Sequence, residues 1–218
     1  MLRLLFPPKC VLCRRLLKPE ETDLCHDCRK DTPEFKKSKS KIPFVAQWTA
    51  LWYYKGNVRK SILRYKFSRV QSYCVTYARL LALKIQQAQM TEVDAITWVP
   101  VSTLRRFKRG FDQSQLLANA LGAELNCPVI STLKKVRNNP PQSGIQEKAA
   151  RRANVMGVYR VRNPECIRDK SLLLIDDVVT SGSTASECAR ILLTAGAREI
   201  SLAAVAATSH ENNNKKCR

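Results

Sequence analysis

The sequence lacks a long hydrophobic run, and this absence argues against a membrane-spanning protein. No apolar stretch approaches the length of about 18 residues that a transmembrane helix needs. The opening "MLRLLFPPKC" contains an apolar patch, but the patch is too short for the core of a secretory signal, and two prolines interrupt it. We therefore expect a cytoplasmic protein with no membrane span.

Acidic side chains are also scarce. The 218 residues include 38 Lys and Arg against 18 Asp and Glu, which gives a formal net charge of +20. A surplus this large favours a polyanionic partner, such as nucleic acid, a phosphorylated metabolite or an anionic membrane face. A solvated basic surface is the alternative. The 44% of hydrophobic residues is enough for a packed core, so global disorder is not expected.

Cysteines, in contrast, are numerous. In a reducing compartment, nine cysteines favour metal binding over disulfides. Cys10-x-x-Cys13 and Cys25-x-x-Cys28 are two close pairs separated by 11 residues. Because each such pair can form one edge of a tetrahedral thiolate site, these four residues predict a structural Zn²⁺ site. Four unrelated buried thiols are the alternative, but so short a segment offers little core.

The rest of the chain alternates between strand and helix patterns. Strands are predicted at 46–54, 93–101, 155–161, 171–177 and 199–206, helices at 57–68, 71–89, 112–123 and 183–195, and an exposed loop at 134–153. The alternation from residue 93 onward predicts an α/β fold, with a parallel sheet flanked by helices. The predicted units are a zinc module (1–34), a linker with a strand–helix–helix segment (35–92), an α/β domain (93–210) and a tail (211–218).

One stretch, "LLLIDDVVTSGSTA", predicts a specific ligand. Asp176 and Asp177 follow a buried apolar run, and a loop of small and hydroxyl residues leads into the next helix. The N-terminus of a helix binds phosphate, and Gly182 lets the backbone approach it closely. The carboxylates suit vicinal sugar hydroxyls, or Mg²⁺ held through water. The stretch therefore predicts a ribose 5-phosphate ligand.

This stretch resembles the phosphoribosyl-pyrophosphate (PRPP) signature of type I phosphoribosyltransferases. The resemblance implies that Asp176 and Asp177 contact the ribose hydroxyls in the catalytic site, with Mg²⁺ bound alongside PRPP. It also implies that the following loop binds the 5-phosphate, through Thr180, Ser181, Gly182, Ser183 and Thr184. A buried strand followed by an ordinary helix cap is the alternative.

A second stretch, "WVPVSTLRRFKRGFDQSQLLA" (98–118), resembles the signature of the ComF/GntX family of competence-associated phosphoribosyltransferase-like proteins. The resemblance implies a type I phosphoribosyltransferase fold and a pyrophosphate loop at 100–104. The residues assigned to pyrophosphate are Val101, Ser102, Thr103, Arg105 and Arg109. An ordinary basic turn before a helix is the alternative, and Asp112 is expected to cap that helix in either case.

Three further segments agree with this resemblance. Residues 137–161 resemble a mobile loop of the family, with Arg137, Gln142 (or Gln146) and Arg151 (or Arg152) as its matching residues. This loop either closes over PRPP, lies along a nucleic-acid backbone, or is a linker without a role.

The segment "YYKGNVRKSILRYKFSR" (53–69) matches a family segment with a lysine near Lys66. Its aromatic residues either belong to the hydrophobic core or contact single-stranded nucleic acid. Proteins of this family also begin with a zinc-binding module.

The resemblance covers nearly the whole chain and implies a PRPP-binding protein acting in natural transformation and the use of incoming DNA. The implied reaction displaces pyrophosphate from the ribose C1 by a nitrogen nucleophile, and whether transfer occurs stays open. The alternative is an accessory that handles single-stranded DNA beside a helicase-like ATPase of the DNA-uptake machinery. A third hypothesis treats the zinc module as a docking platform, so that deleting residues 1–34 would leave PRPP binding intact.

Overall fold

A computed structural model describes residues 7–36, 41–68, 70–137 and 155–208, without the side chains of Arg105, Lys108 and Arg109. The helices are α1 (His26–Asp31), α2 (Gly56–Phe67), α3 (Tyr73–Gln87), α4 (Thr103–Arg109), α5 (Gln113–Leu125) and α6 (Ser183–Thr194). The strands are β1 (Gln47–Tyr53), β2 (Ala95–Trp98), β3 (Leu133–Lys135), β4 (Tyr159–Val161), β5 (Ser171–Val179) and β6 (Glu199–Ala207).

Four strands form a parallel sheet in the order β1-β6-β5-β2. The central strand β5 carries "SLLLI", whose five residues are all buried, as expected for a strand covered on both faces. β3 and β4 form a separate antiparallel ribbon. The parallel sheet confirms the predicted fold class, which the comparisons below also support.

Alternate side chains of each strand supply the two cores of the molecule. Leu173 and Ile175 point to one face of the sheet, where they pack with α2, α3 and α5. Leu172 and Leu174 point to the other face, where they pack with α6 and the β3–β4 ribbon. Among the described residues, no helix has both the length and the apolar character needed to cross a membrane.

Several predicted boundaries differ from the structure, among them the start of β4, which was predicted at residue 155 and lies at Tyr159. β5 runs to Val179 rather than ending at Asp177, because its pairing with β6 continues to Ala207. The exposed loop was predicted to begin at residue 134, but residues 134 and 135 pair with β4. The segment after β2 turns into helix α4 at Thr103, so the pyrophosphate loop predicted at 100–104 is shorter than expected.

Candidate functional site

The predicted ribose-binding acids lie near the C-terminal end of β5. Because successive residues of a strand point to opposite faces, Asp177 points towards the helices α2 and α5 and Asp176 towards α6. Asp177 is only 8% exposed. Its Oδ1 lies 2.7 Å from the Nζ of Lys66, which is the penultimate residue of α2. The ion pair compensates the charge of the buried carboxylate.

Asp176 is held differently. Its Oδ1 accepts a hydrogen bond of 2.8 Å from the backbone N–H of Asp177. Burial, together with the nearby charge of Asp177, raises the pKa of Asp176 to about 8. Near neutral pH Asp176 is therefore largely protonated, whereas Asp177 forms the ion pair with Lys66.

The predicted phosphate loop connects β5 to α6. Gly182 is the N-cap of α6, with a φ of 74° that L side chains rarely adopt. A Cβ at this position would also lie 3.0 Å from Cγ1 of Ile42. The hydroxyls of Ser181 and Ser183 are 2.9 Å apart, and the Thr208 hydroxyl donates to the carbonyl of Thr180. The sequence places glycine here because the backbone requires it.

The predicted pyrophosphate segment begins beyond β2. The backbone N–H of Val101 donates to Oδ2 of Asp112 at 3.0 Å, and the N–H of Gln115 donates to Oδ1 at 3.1 Å. The predicted cap of α5 by Asp112 is thus confirmed, and the same side chain also fixes the preceding loop. Burial raises the pKa of Asp112. Ser102 is buried, and its carbonyl accepts from the N–H of Arg106 in α4.

The sheet brings the two segments to the same edge. β2 and β5 are adjacent and parallel, with Trp98 opposite Ile175, and the Val99 N–H donates to the Ile175 carbonyl. Val101 and Ser102 therefore follow β2 beside the acids of β5, as expected for a ligand site at the carboxyl ends of parallel strands. Thr103, Arg105 and Arg109 lie on α4 rather than in an open loop.

The third predicted segment is described only at its beginning. Arg137 is exposed and follows β3, whereas Gln142 and Arg151 lie outside the described residues. Lys66 is the site residue to which sequence reasoning gave too little weight. The sequence pointed to Lys66 only through the match of residues 53–69 to a family segment. Nothing in that stretch predicts that Lys66 contacts an acid far away in the sequence.

The four predicted zinc ligands converge. Their Sγ atoms all lie within 4.8 Å of one another, and those of Cys13 and Cys25 are 3.6 Å apart. A tetrahedral site with Zn–S bonds of about 2.3 Å requires sulfurs separated by roughly 3.8 Å, so the cluster fits Zn²⁺. Burial raises the pKa of the Cys10 thiol, but the backbone N–H groups of Cys13 and Cys25 outweigh it and lower the pKa to about 7. Burial raises the pKa values of the Cys13 and Cys28 thiols, so in the metal-free cluster Cys10 is the thiol that most readily forms a thiolate.

Local structure explains this convergence. Cys10 and Cys13 lie in a tight turn closed by an antiparallel bridge between Lys9 and Leu16. Cys25 is the N-cap of α1, and Cys28 lies in the buried side of that helix. The turn and the helix together present the four sulfurs to one point.

Comparison with known proteins agrees with these features. The family described as Phosphoribosyl transferase domain matches residues 112–217, and the family described as Double zinc ribbon domain matches residues 1–39. The first of these ranges includes β5, the phosphate loop and β6, and the second includes all four clustered cysteines.

Three curated proteins resemble most of the chain. Competence protein F of Haemophilus influenzae is 28% identical over 215 residues, covering 88% of this chain and 93% of that protein. DNA utilization protein YhgH of Escherichia coli K12 is 28% identical over 200 residues, 88% of this chain and 86% of that protein. Competence protein ComFC of Bacillus subtilis is 24% identical over 188 residues, 86% of this chain and 72% of that protein.

Proposed function

The chain belongs to the ComF/GntX family, and on that premise we propose that it binds Mg²⁺–PRPP at the carboxyl edge of the parallel sheet and acts in the use of incoming DNA. One observation carries the proposal. Two adjacent acids on a buried strand lead into a helix N-terminus whose left-handed N-cap is a glycine, beside the loop after β2.

Each part of the site suits one part of PRPP. The Asp177 carboxylate accepts hydrogen bonds from the ribose hydroxyls, and the Asp176 carboxyl, with its raised pKa, both donates and accepts. The N-terminus of α6 binds the 5-phosphate with the hydroxyls of the loop, which are Thr180, Ser181, Ser183 and Thr184. The segment Val101–Ser102 lies where the pyrophosphate would bind.

The reaction this arrangement supports is a group transfer. The bond between the ribose C1 and the pyrophosphate oxygen breaks, a bond from C1 to a nitrogen nucleophile forms, and pyrophosphate leaves. Mg²⁺ bound to the substrate would neutralise the leaving charge. The protein's contribution is to hold the ribose and both phosphate ends in fixed positions, which lowers the entropic part of the barrier.

Calorimetric titration of Mg²⁺–PRPP into the wild type tests the proposal directly. We expect saturable binding that is lost in Asp177→Asn, because the amide has no negative charge to pair with Lys66 and offers one acceptor oxygen where the carboxylate offers two. Glu92→Gln, an exposed acid remote in sequence from the site, is the matched control and should bind like the wild type. Equal binding by Asp177→Asn and wild type would contradict the assignment of the acid pair.

A second function, the binding of single-stranded DNA, is favoured by the distribution of charge. The net charge is +20, and several acids are already paired with arginines, among them Asp23, Asp27 and Glu187. Each such pair neutralises one arginine together with one acid, so the surplus of +20 is carried by the remaining basic residues and is available to phosphates. A helicase-like ATPase as a further partner rests on the family resemblance.

Fluorescence anisotropy with a labelled single-stranded oligonucleotide tests this second function. We expect affinity to fall steeply with salt, since each neutralised phosphate releases counterions. The same titration with a double-stranded oligonucleotide is the control for preference. No binding even at low salt would count against a DNA-handling role while leaving the PRPP proposal intact.

A further inference from the structure

The last turn of α2 connects three parts of the molecule through three consecutive residues. Arg64 contacts the zinc module, Tyr65 contacts the start of α5, and Lys66 contacts the acid pair. A helix turn is stiff over this distance, because its backbone hydrogen bonds fix the residues relative to one another. The placement of one of these side chains therefore depends on the contacts of the other two.

On the zinc side, the contacts reach the backbone between two metal ligands. The guanidinium of Arg64 donates through Nη2 to the carbonyl of Leu12 at 2.5 Å, and the Ser61 hydroxyl lies 2.5 Å from the carbonyl of Val11. Val11 and Leu12 are the two residues between Cys10 and Cys13. These carbonyls point towards α2 only while the turn carrying the two cysteines keeps its shape, which four bound sulfurs would fix.

Arg64 is itself held in place by α3. Its Nε donates to the Tyr73 hydroxyl at 3.3 Å, and its guanidinium carbon lies 5.9 Å from the centre of the Tyr73 ring. The guanidinium therefore bridges the zinc module and α3, and Arg64 belongs to the same helical turn as Lys66. Its planar fork suits this role better than the single ammonium of lysine does.

On the site side, the contacts reach both halves of the candidate ligand site. The Tyr65 hydroxyl donates to the carbonyl of Gln113 at 2.7 Å, next to the Asp112 cap that fixes Val101. Burial raises the pKa of Tyr65, so the phenol stays protonated as a donor. The Lys66 side chain is 17% exposed and lies 2.7 Å from Asp177.

We propose that Lys66 is a positioning residue of the acid pair and that Arg64 acts through it, so that the zinc-bound turn at Cys10–Cys13 sets the affinity of the site for its ligand. Through their ion pair, Lys66 holds the Asp177 side chain in a fixed orientation before the ribose arrives. Where the ligand is Mg²⁺–PRPP, this inference rests on the function proposed above. It adds a regulation of the same site by the state of the zinc module.

The coupling has a reciprocal consequence. If zinc binding raises the affinity for the ligand, then ligand binding must raise the affinity for zinc by the same factor. Couplings of this kind typically change affinity by about 5- to 150-fold. The rate of zinc release therefore reports on ligand binding at the acid pair, and the measurement does not require the protein to catalyse a reaction.

The first test substitutes Arg64. Arg64→Met should weaken Mg²⁺–PRPP binding by about 10-fold or more, and Arg64→Lys should recover part of the loss because it keeps a donor for the Leu12 carbonyl. Arg59→Met, on the same helix and exposed, is the matched control and should bind like the wild type. Thermal unfolding of each variant shows whether it is folded. A folded Arg64→Met that binds like the wild type would overturn the inference.

The second test measures zinc release to a colorimetric chelator. We expect Mg²⁺–PRPP to slow the release several-fold in the wild type and to have no such effect in Lys66→Met. Wild-type protein that binds the ligand but releases zinc at an unchanged rate would overturn the inference and leave the proposed function standing.

A ligand-free comparison keeps the two proposals distinguishable. If the wild type does not bind Mg²⁺–PRPP, the proposed function fails, and zinc release from ligand-free variants decides the inference alone. Lys66→Met should then release zinc faster than Lys60→Met, an exposed lysine on the same helix. Equal release rates from these two variants would overturn the coupling through α2.

Discussion

The carboxyl group of Asp176 ionises at a higher pH than an ordinary aspartate, and this links stability to pH. Its pKa is raised to about 8, so between about pH 4 and pH 8 the folded state binds a proton that the unfolded state has released. Stability falls as the pH rises through this window. Asp176→Asn cannot ionise and should escape the loss.

Urea unfolding at pH 5 and pH 8.5 measures this effect. We expect Asp176→Asn to gain about 1–3 kcal/mol over the wild type between the two pH values, a range that allows for partial solvent access of the side chain. Glu92→Gln should show no such gain. An Asp176→Asn variant whose difference from the wild type is independent of pH would refute the raised pKa.

At Gly182, a methyl group tests the shape of the phosphate loop. Gly182→Ala combines a left-handed backbone with a Cβ only 3.0 Å from Ile42, and should cost about 1–3 kcal/mol. Gly56→Ala is the matched control, since Gly56 also has a positive φ but open space around it. Urea unfolding of both variants separates the clash from the backbone strain, and equal losses would show that the contact with Ile42 contributes nothing.

Some individual site residues were predictable, because their partners are close in the chain. The cysteine pairs, the adjacent acids and the small-residue loop are local patterns, and the structure brings the four sulfurs together. The assignments of the acids and the loop to PRPP stay predictions. Lys66 was not predictable as the partner of Asp177, because their contact depends on how α2 packs against the sheet.

At the scale of elements, one side chain joins a helix to the loop before it. Asp112 caps α5 and also accepts from the Val101 N–H. Asp112→Ala should lower the free energy of unfolding by about 2–3 kcal/mol, since both donors lose their partner. It should also weaken Mg²⁺–PRPP binding, because the segment at Val101 is no longer fixed. Urea unfolding and calorimetry measure the two effects.

Two variants make this test specific. Asp112→Asn keeps an acceptor oxygen and should lie between alanine and the wild type. Glu124→Ala, on the exposed side of the same helix, should change neither quantity. A loss of stability with unchanged ligand affinity in Asp112→Ala would separate the cap from the site.

Elements were predictable from their periodicity, and their ends were not. The apolar run "LLLI" predicts a buried strand, but its extension to Val179 comes from pairing with β6, which no local pattern contains. In the same way, "STLRRFKRG" has too few apolar residues to predict a helix, yet α4 forms there because Ser102 and Gly110 bound it with backbone hydrogen bonds.

For the whole molecule, the zinc module and the sheet share one hydrophobic core. Val11, Leu12 and Leu24 pack in the same cluster as Trp52 and Tyr77. Removing zinc should therefore lower the melting temperature of the entire protein by more than about 10 °C, in one transition. Circular dichroism and tryptophan fluorescence should report the same midpoint.

Two comparisons test that cooperativity. Cys13→Ser should reproduce the loss, whereas Cys166→Ser, an exposed cysteine outside the cluster, should melt like the wild type. A zinc-stripped protein whose sheet melts at the original temperature would show that the module is energetically separate.

The shared core also bears on the docking hypothesis, under which deletion of residues 1–34 leaves PRPP binding intact. That deletion would expose the faces of α2 and α3 that the module covers. Composition and the basic stretch after residue 35 divide the chain into units, but they carry no information about which surfaces meet. The boundaries at residues 34, 92 and 210 stay predictions.

The position of β6 has a consequence for how the protein is made. Among the described residues it is the last strand in sequence, and it lies between β1, the first, and β5. On the ribosome, β1 therefore emerges long before its neighbour exists, and the sheet closes only after β6 has been synthesised. Until then its apolar edges are open to other chains, which makes nascent protein the species most in need of a chaperone.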